Sequence, residues 1–424
     1  MSQTPRTIIT GLDGVPFGML KDLAQSGVMP KTADLISQGT FKKMSSSIPE
    51  VSSVAWSSVI TGTNPGRHGI FGFMDLIPDS YEIFFPNFTH LKAKPFWEEQ
   101  QRPSVIINVP GTYPVRAMNG VLISGFVSID FDKSIYPPAV TAKLRGMDYR
   151  LDVDSQKAHK SMDLFLEDLN KTLDTRIEAY KFLWDYTDWG IFMFVVTGTD
   201  RLMHFLWDAY AESNHKYHGA FLEYFSRIDA VIGEIASRAG ENDRVIMHSD
   251  HGFEHLEKDV YVNRLLFEAG FLCFKNNDST DLKNICFGTR AFAIDPARIY
   301  INFKGKYPCG SVEPEHKEDV LRELEEFFNS YEVEGKKVFE GIYKREKIYD
   351  GACAEAGPEM VLVGAKGFNL KASLRTNQTT GKGIFTGKHT QHDAFLLVRD
   401  NSGVCSPPDK PSVCDIKNLV IAGR

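Results

Sequence analysis

No apolar run in this chain is long enough to cross a bilayer. The stretch "WGIFMFVV" stops far short of the about 20 residues that a spanning helix needs. The amino terminus has no basic segment followed by an apolar core and a cleavage site. "MSQTPRTIITGLDG" passes almost directly into a strand-like run, so no secretory leader is expected. CxxC pairs are missing as well. The six cysteines, at 273, 286, 309, 353, 405 and 414, all lie in the second half and read as the reduced thiols of a cytoplasmic protein. No block of like charge accompanies the net charge of −7, which leaves no electrostatic case for a nucleic-acid polymer and favours small-molecule partners. Internal repeats and low-complexity segments are absent too.

A chain of 424 residues can bury a large core, as one domain with an insertion or as two domains. Short β-rich runs alternate with amphipathic helical stretches, which predicts an α/β fold with a mainly parallel central sheet flanked by helices. The central strands are expected in "RTIITGLD", "SVIINV", "GIFMFVVTGTD" and "DRVIMHSDHG". Ligands collect at the carboxyl ends of such strands, so Asp13, Asn108, Asp200 and Asp250 are expected to converge. Helical spacing covers 155–187 and 216–239. The character changes over 266–357, read as an inserted, cap-like α+β subdomain. The core then comprises 1–265 and 358–424, with "GPEMVLVGA" and "DAFLLVRD" returning to the main sheet. Within the insertion, "KKVFEGIYKREKIYDG" reads as surface, and Lys304, Lys306, Lys336, Lys337, Lys344 and Arg345 read singly as solvated charges.

Asp and neutral His are ligands that zinc and similar ions prefer. A four-residue spacing at a helix start puts Asp200 and His204 of "TGTDRLMH" on one face. Asp250 and His251 of "HSDHGFEH" are neighbours, and a turn at Gly252 lets both approach one site. His389 in "TGKHTQHDA" offers a closing ligand from the carboxyl half. Taken singly, Asp13 reads as a cap or turn residue and His204 as a core or surface histidine; the combination at successive strand ends carries the signal.

One stretch resists a purely structural reading. In "IPEVSSVAWSSVITGTNPGRHGIFGF" four serines crowd around Trp56, although hydroxyls weaken a helix interior by competing for its backbone bonds.

In order along the chain, "GLDG", "PEVSSVAWSSVITGTNPGRHGIFGF", "NVPGTYP", "TGTDRLMHFLW", "SDHGF" and "GKH" strongly resemble the alkaline phosphatase superfamily, in its branch of type I phosphodiesterases and nucleotide pyrophosphatases. The resemblance runs from residue 11 to residue 389. It implies an alkaline-phosphatase-like sandwich and a two-metal phosphohydrolase that cleaves phosphodiester or pyrophosphate bonds of a small anionic molecule. It further implies Ser52 as a nucleophile passing through phosphoserine, at the start of a helix. One metal would be held by Asp13, Ser52, Asp250 and His251, the other by Asp200, His204 and His389. Asn108 would donate to a non-bridging phosphoryl oxygen. Zinc is the first expectation for both ions, with manganese or iron as the other candidates.

The same resemblance leaves phosphomutase, phosphomonoesterase and phosphonate hydrolase as alternatives, and a metal-binding pseudoenzyme as a fourth. It gives His68 a structural role, while His215 and His218 read as a solvated helix end and His248 and His255 as supports for the ligands beside them. His392 and Asp393 depart from the Asp-Gly that many relatives carry after "GKH", and Lys306 stands where relatives commonly have Arg. The chain stops at "SVCDIKNLVIAGR", so a terminal piece is expected to be shortened relative to the family.

Overall fold

The computed structural model describes residues 5–276 and 280–423. Residues 1–4, 277–279 and 424 of the expected domains lie outside it. The chain divides into two compact units. The first takes in the chain up to Thr63, Asn87–Glu254 and everything from His389 on; the second is Asn64–Pro86 with His255–Lys388.

The first unit is built on an eight-stranded sheet. Its spatial order is Thr40–Met44, Ala394–Arg399, Arg244–His248, Thr7–Leu12, Ile191–Val196, Ser104–Val109, Gly120–Ser124 and Ile135–Tyr136. The five strands from Arg244–His248 to Gly120–Ser124 run parallel, and antiparallel pairing is confined to the two sides. The central strands are nearly continuous apolar runs because a parallel sheet is covered on both faces; every residue of Thr7–Leu12, Ser104–Val109 and Ile191–Val196 is buried. Helices Met162–Trp184 and His218–Arg238 supply buried apolar faces, among them Leu169, Leu173, Phe221 and Phe225. The expected helices at 155–187 and 216–239 are thus present in shorter form. "DAFLLVRD" joins this sheet as expected.

"GPEMVLVGA" does not. Its strand Met360–Gly364 pairs with Arg298–Ile301 and Phe339–Lys344 in the four-stranded antiparallel sheet of the second unit. A short apolar run carries no label for the sheet that will take it, so the sequence reading sent it to the wrong one. The second unit is therefore larger than 266–357, taking in 64–86, 255–265 and 358–388 as well. "KKVFEGIYKREKIYDG" is not surface throughout either. Val338 and Phe339 are buried in a cluster with Phe292, Tyr300, Leu324, Phe328 and Met360. Five of the six cations named in this region are paired within the unit. Lys336 bonds Glu257 at 2.6 Å, Lys344 bonds Glu318 at 3.3 Å, Lys306 lies 3.8 Å from Glu359, Arg345 bonds Glu359 at 3.2 Å, and Lys304 lies 2.5 Å from Glu313.

No helix among the described residues is long and apolar enough to cross a membrane.

Candidate active site

Every candidate ligand and the candidate nucleophile fall in the first unit. The serine-rich segment folds as the helix Ser52–Thr61, all ten residues of which are buried. Its inner hydroxyls satisfy themselves on the preceding turn: Ser57 donates to the Ser53 carbonyl at 2.6 Å, Ser58 to Val54 at 2.9 Å and Thr61 to Ser57 at 2.6 Å. Ser52 stands at the first turn and points elsewhere. Its Oγ lies 3.1 Å from His251 Nε2 and 3.4 Å from Asp13 Oδ1. The leading N–H groups of any helix lack intrahelical partners, so this end also favours an anion. The neighbouring Ser53 Oγ is buried with no hydrogen-bond partner.

Asp13 follows the strand Thr7–Leu12, and Asp250 with His251 follows Arg244–His248, the strand alongside it. The bend before Gly252 brings both side chains to Asp13. His251 Nε2 is 3.6 Å from Asp13 Oδ1 and 3.3 Å from Asp250 Oδ2. Asp200 and His204 share one face of the helix Gly198–Ala211, which starts just after the strand Ile191–Val196. His389 Nε2 closes on both, 3.0 Å from Asp200 Oδ1 and 3.0 Å from His204 Nε2. The His251 and His389 rings stack with centroids 3.7 Å apart, which joins the two groups.

The other ring nitrogens explain why these faces are available. His389 Nδ1 lies 3.0 Å from the Glu50 carbonyl and His251 Nδ1 lies 3.0 Å from the Gly252 carbonyl. Each Nδ1–H is spent on a carbonyl, which turns Nε2 inward as a ligand.

The electrostatics are those of a cation site. Burial, with Asp250 and Asp200 nearby, raises the Asp13 carboxyl well above its ordinary value. Burial likewise pushes Asp250 up to about 7. Burial opposes the charge on Asp200 too, but His204 and His389 outweigh it and hold that carboxyl well below the usual range. His204 and His251 are lowered by burial. Burial would also lower His389, yet its bond to Asp200 raises it. Asp250 Oδ2 is buried with no hydrogen-bond partner. Buried charges of this kind are otherwise paired or bound to metal. Two sets of ligand atoms, Asp13–Asp250–His251 and Asp200–His251–His389, each lie within 4.8 Å of one another. The residues present therefore fit divalent-cation binding, with His251 common to both sets and His204 adjoining the second.

Asn108 lies at a bulge in the strand Ser104–Val109, buried and in the left-handed region at φ 63°. Its Oδ1 accepts from the buried Tyr149 hydroxyl and its Nδ2 donates weakly to the Ser124 carbonyl at 3.5 Å. Of its two amide hydrogens, one is thus committed.

Several residues escaped the sequence reading. Trp56 marks Ser52 by its place four residues on, but its own contact went unread: it donates to Asp13 Oδ2 at 3.1 Å. Arg201 donates to Asp200 Oδ2 at 3.2 Å and to Asp152 Oδ2 at 3.0 Å, over the face of Phe126. Tyr149 lies in no motif and gave no signal. Asp152 also lines a cavity of about 550 Å³ with Phe126, Ser128, Phe131, Arg150 and Lys157. His248 packs its ring 5.3 Å from that of Trp56, and burial lowers it to about 4. His255 is exposed, and His215 and His218 bond locally to the Tyr217 amide and the Ala209 carbonyl.

Residues 7–390 match the model of the family described as type I phosphodiesterase / nucleotide pyrophosphatase. No curated protein matches the chain. Among solved structures, phosphonoacetate hydrolase from Sinorhizobium meliloti 1021, in complex with phosphonoformate, is similar over 99% of this chain and 96% of that one, with 15% identity and a TM-score of 0.66. Murine ectonucleotide pyrophosphatase / phosphodiesterase 5 is similar over 98% of this chain and 94% of its own, with 12% identity and a TM-score of 0.54. The human protein of that name gives 98%, 93%, 13% and 0.56. At these identities the likeness is one of fold.

Proposed function

Because the chain belongs to the type I phosphodiesterase / nucleotide pyrophosphatase family, within the alkaline phosphatase superfamily, we propose that it hydrolyses phosphodiester or pyrophosphate bonds of a small anionic molecule through a phosphoserine at Ser52. The observation that carries this reading is the convergence of Ser52 Oγ with Asp13 Oδ1 and His251 Nε2, at 3.4 and 3.1 Å.

Asp13, Asp250 and His251, with the Ser52 oxygen, would hold one divalent ion, and Asp200, His204 and His389 the other, zinc before manganese or iron. Such a pair supplies charge that favours the serine alkoxide and neutralises the phosphoryl oxygens. Ser52 Oγ loses its proton to solvent and attacks phosphorus, the bond to the leaving oxygen breaks with its electron pair going to that oxygen, and the ester formed on Ser52 keeps the other substituent of the phosphorus. Water then cleaves the Ser52 ester and restores the hydroxyl. The amide hydrogen that Asn108 does not commit to Ser124 donates to a non-bridging oxygen, with Tyr149 holding the other end of the amide. A cytoplasmic location belongs to the same reading, and the six cysteines without a disulfide support it.

A second reading is phosphonate hydrolysis, the activity in the name of the similar phosphonoacetate hydrolase. A screen of metal-defined protein against phosphodiesters, nucleotides, phosphomonoesters and phosphonates separates the two. Turnover of phosphonates alone would replace the first reading by the second, and activity that persists without any divalent ion would end both.

A further inference from the structure

Ser52 and Trp56 sit one helical turn apart on the same face and hold opposite ends of a single carboxylate. Ser52 Oγ is 3.4 Å from Asp13 Oδ1, and Trp56 Nε1 donates to Asp13 Oδ2 at 3.1 Å. A carboxylate without such a tether can rotate and offer a cation either oxygen or both. We propose that Trp56 is a positioning residue: its indole N–H holds Asp13 Oδ2 and leaves Oδ1 as the one oxygen that meets the nucleophile and the metal. The proposal rests on the metal-dependent reading above.

Three further observations support it. The other two carboxylates are tethered in the same manner, Asp200 Oδ2 by Arg201 Nη1 at 3.2 Å and Asp250 Oδ1 by the Gly14 amide at 3.1 Å. Each of the three is thereby left one oxygen for the site. Next, the chain keeps a place for the indole. A β-carbon at Gly11 would lie 2.5 Å from Trp56 Cη2 and 3.3 Å from Cζ3, so the first glycine of "GLDG" is required by the ring lying on it. Finally, Trp56 is wholly buried, and a buried indole N–H needs an acceptor; here the acceptor is Asp13. A phenylalanine would fill much of this space without the tether, so packing alone does not account for tryptophan.

Unlike Arg201, Trp56 is neutral, and its N–H can be removed without changing the charge of the site. The test replaces Trp56 by β-(3-benzothienyl)alanine, which keeps the bicyclic shape and puts sulfur in place of N–H, beside W56F. Metal-free protein is titrated calorimetrically with Zn²⁺ alone, and the thermal midpoint of the metal-free form is measured alongside. Wild type should show two sites. In the isostere one site should weaken about tenfold or more, in the range found for lost outer partners of metal ligands, while the other is unchanged. The metal-free midpoint should fall by a few degrees at most, the scale of one lost buried hydrogen bond, and kcat should fall at constant KM. Unchanged affinity at both sites in the isostere overturns the proposal, whatever W56F does to folding. A wild type that binds no Zn²⁺ overturns the reading beneath it instead.

Discussion

His389 Nε2 and His204 Nε2 face each other at 3.0 Å, with Asp200 Oδ1 3.0 Å from the first and 3.4 Å from the second. Two imidazole lone pairs at that distance repel unless a proton or a cation lies between them. The fold holds them there because Glu50 engages His389 Nδ1 and the helix Gly198–Ala211 fixes His204. Binding energy for a divalent ion is therefore stored in the folded state and absent from the unfolded one. Dialysis against a chelator should abolish activity and lower the thermal midpoint, and returning the ion should restore both. At a free ion concentration about 100 times the dissociation constant the gain is about 2.7 kcal/mol. A midpoint indifferent to chelator and metal contradicts the site.

The two adjacent serines separate cleanly. Ser52→Ala should lose turnover by several orders of magnitude while keeping its fold and most of its metal, since it removes the nucleophile but one ligand among several. Ser53→Ala should remain active, because its hydroxyl touches none of the ligands. Steady-state kinetics with metal analysis on both variants decides between them.

Asn108→Ala should lower kcat by about 10²-fold, the usual scale for one donor to a developing oxyanion. Tyr149→Phe should cost less, because it loosens the amide without deleting it. The double variant should resemble Asn108→Ala alone. Additive losses would show that Tyr149 acts independently of Asn108.

His68, in the second unit, gives a pH signature. It is buried, its Nδ1 accepts from the Ile70 amide at 3.1 Å, and burial lowers it to about 3. The unfolded chain binds this proton near pH 6.5 and the folded chain does not, so the contribution is intact above 6.5 and is lost as pH falls toward 3. Between pH 6.5 and 5.0 the loss from this one group is about 1.5 kcal/mol. His68→Asn keeps an acceptor for Ile70 and should flatten the decline by that amount in denaturant unfolding at the two pH values. Parallel declines would assign the acid sensitivity elsewhere.

Much of the site was legible because strand ends are marked by chemistry. Asp13, Asp200 and Asp250 each interrupt or follow an apolar run, and the i, i+4 spacing of Asp200 and His204 survives intact on its helix. Sheet membership was not legible where a run is short and apolar: Met360–Gly364 has the composition of a core strand and lies in the other unit's sheet. Side-chain direction was lost too. Nothing in "AWSS" says that the indole N–H of Trp56 turns to Asp13, and nothing near Tyr149 announces that its hydroxyl meets an asparagine 41 positions earlier.

The central claim is a covalent bond at one oxygen, and it can be read directly. Metal-loaded protein is mixed with a turned-over phosphodiester, quenched in acid within the first turnover, digested and analysed by peptide mass spectrometry. The account predicts one half of the diester on Ser52, joined through its phosphorus and still carrying its remaining ester substituent, absent from Ser52→Ala and from protein stripped of metal. The same group on Ser53, or none on either serine during active turnover, contradicts it.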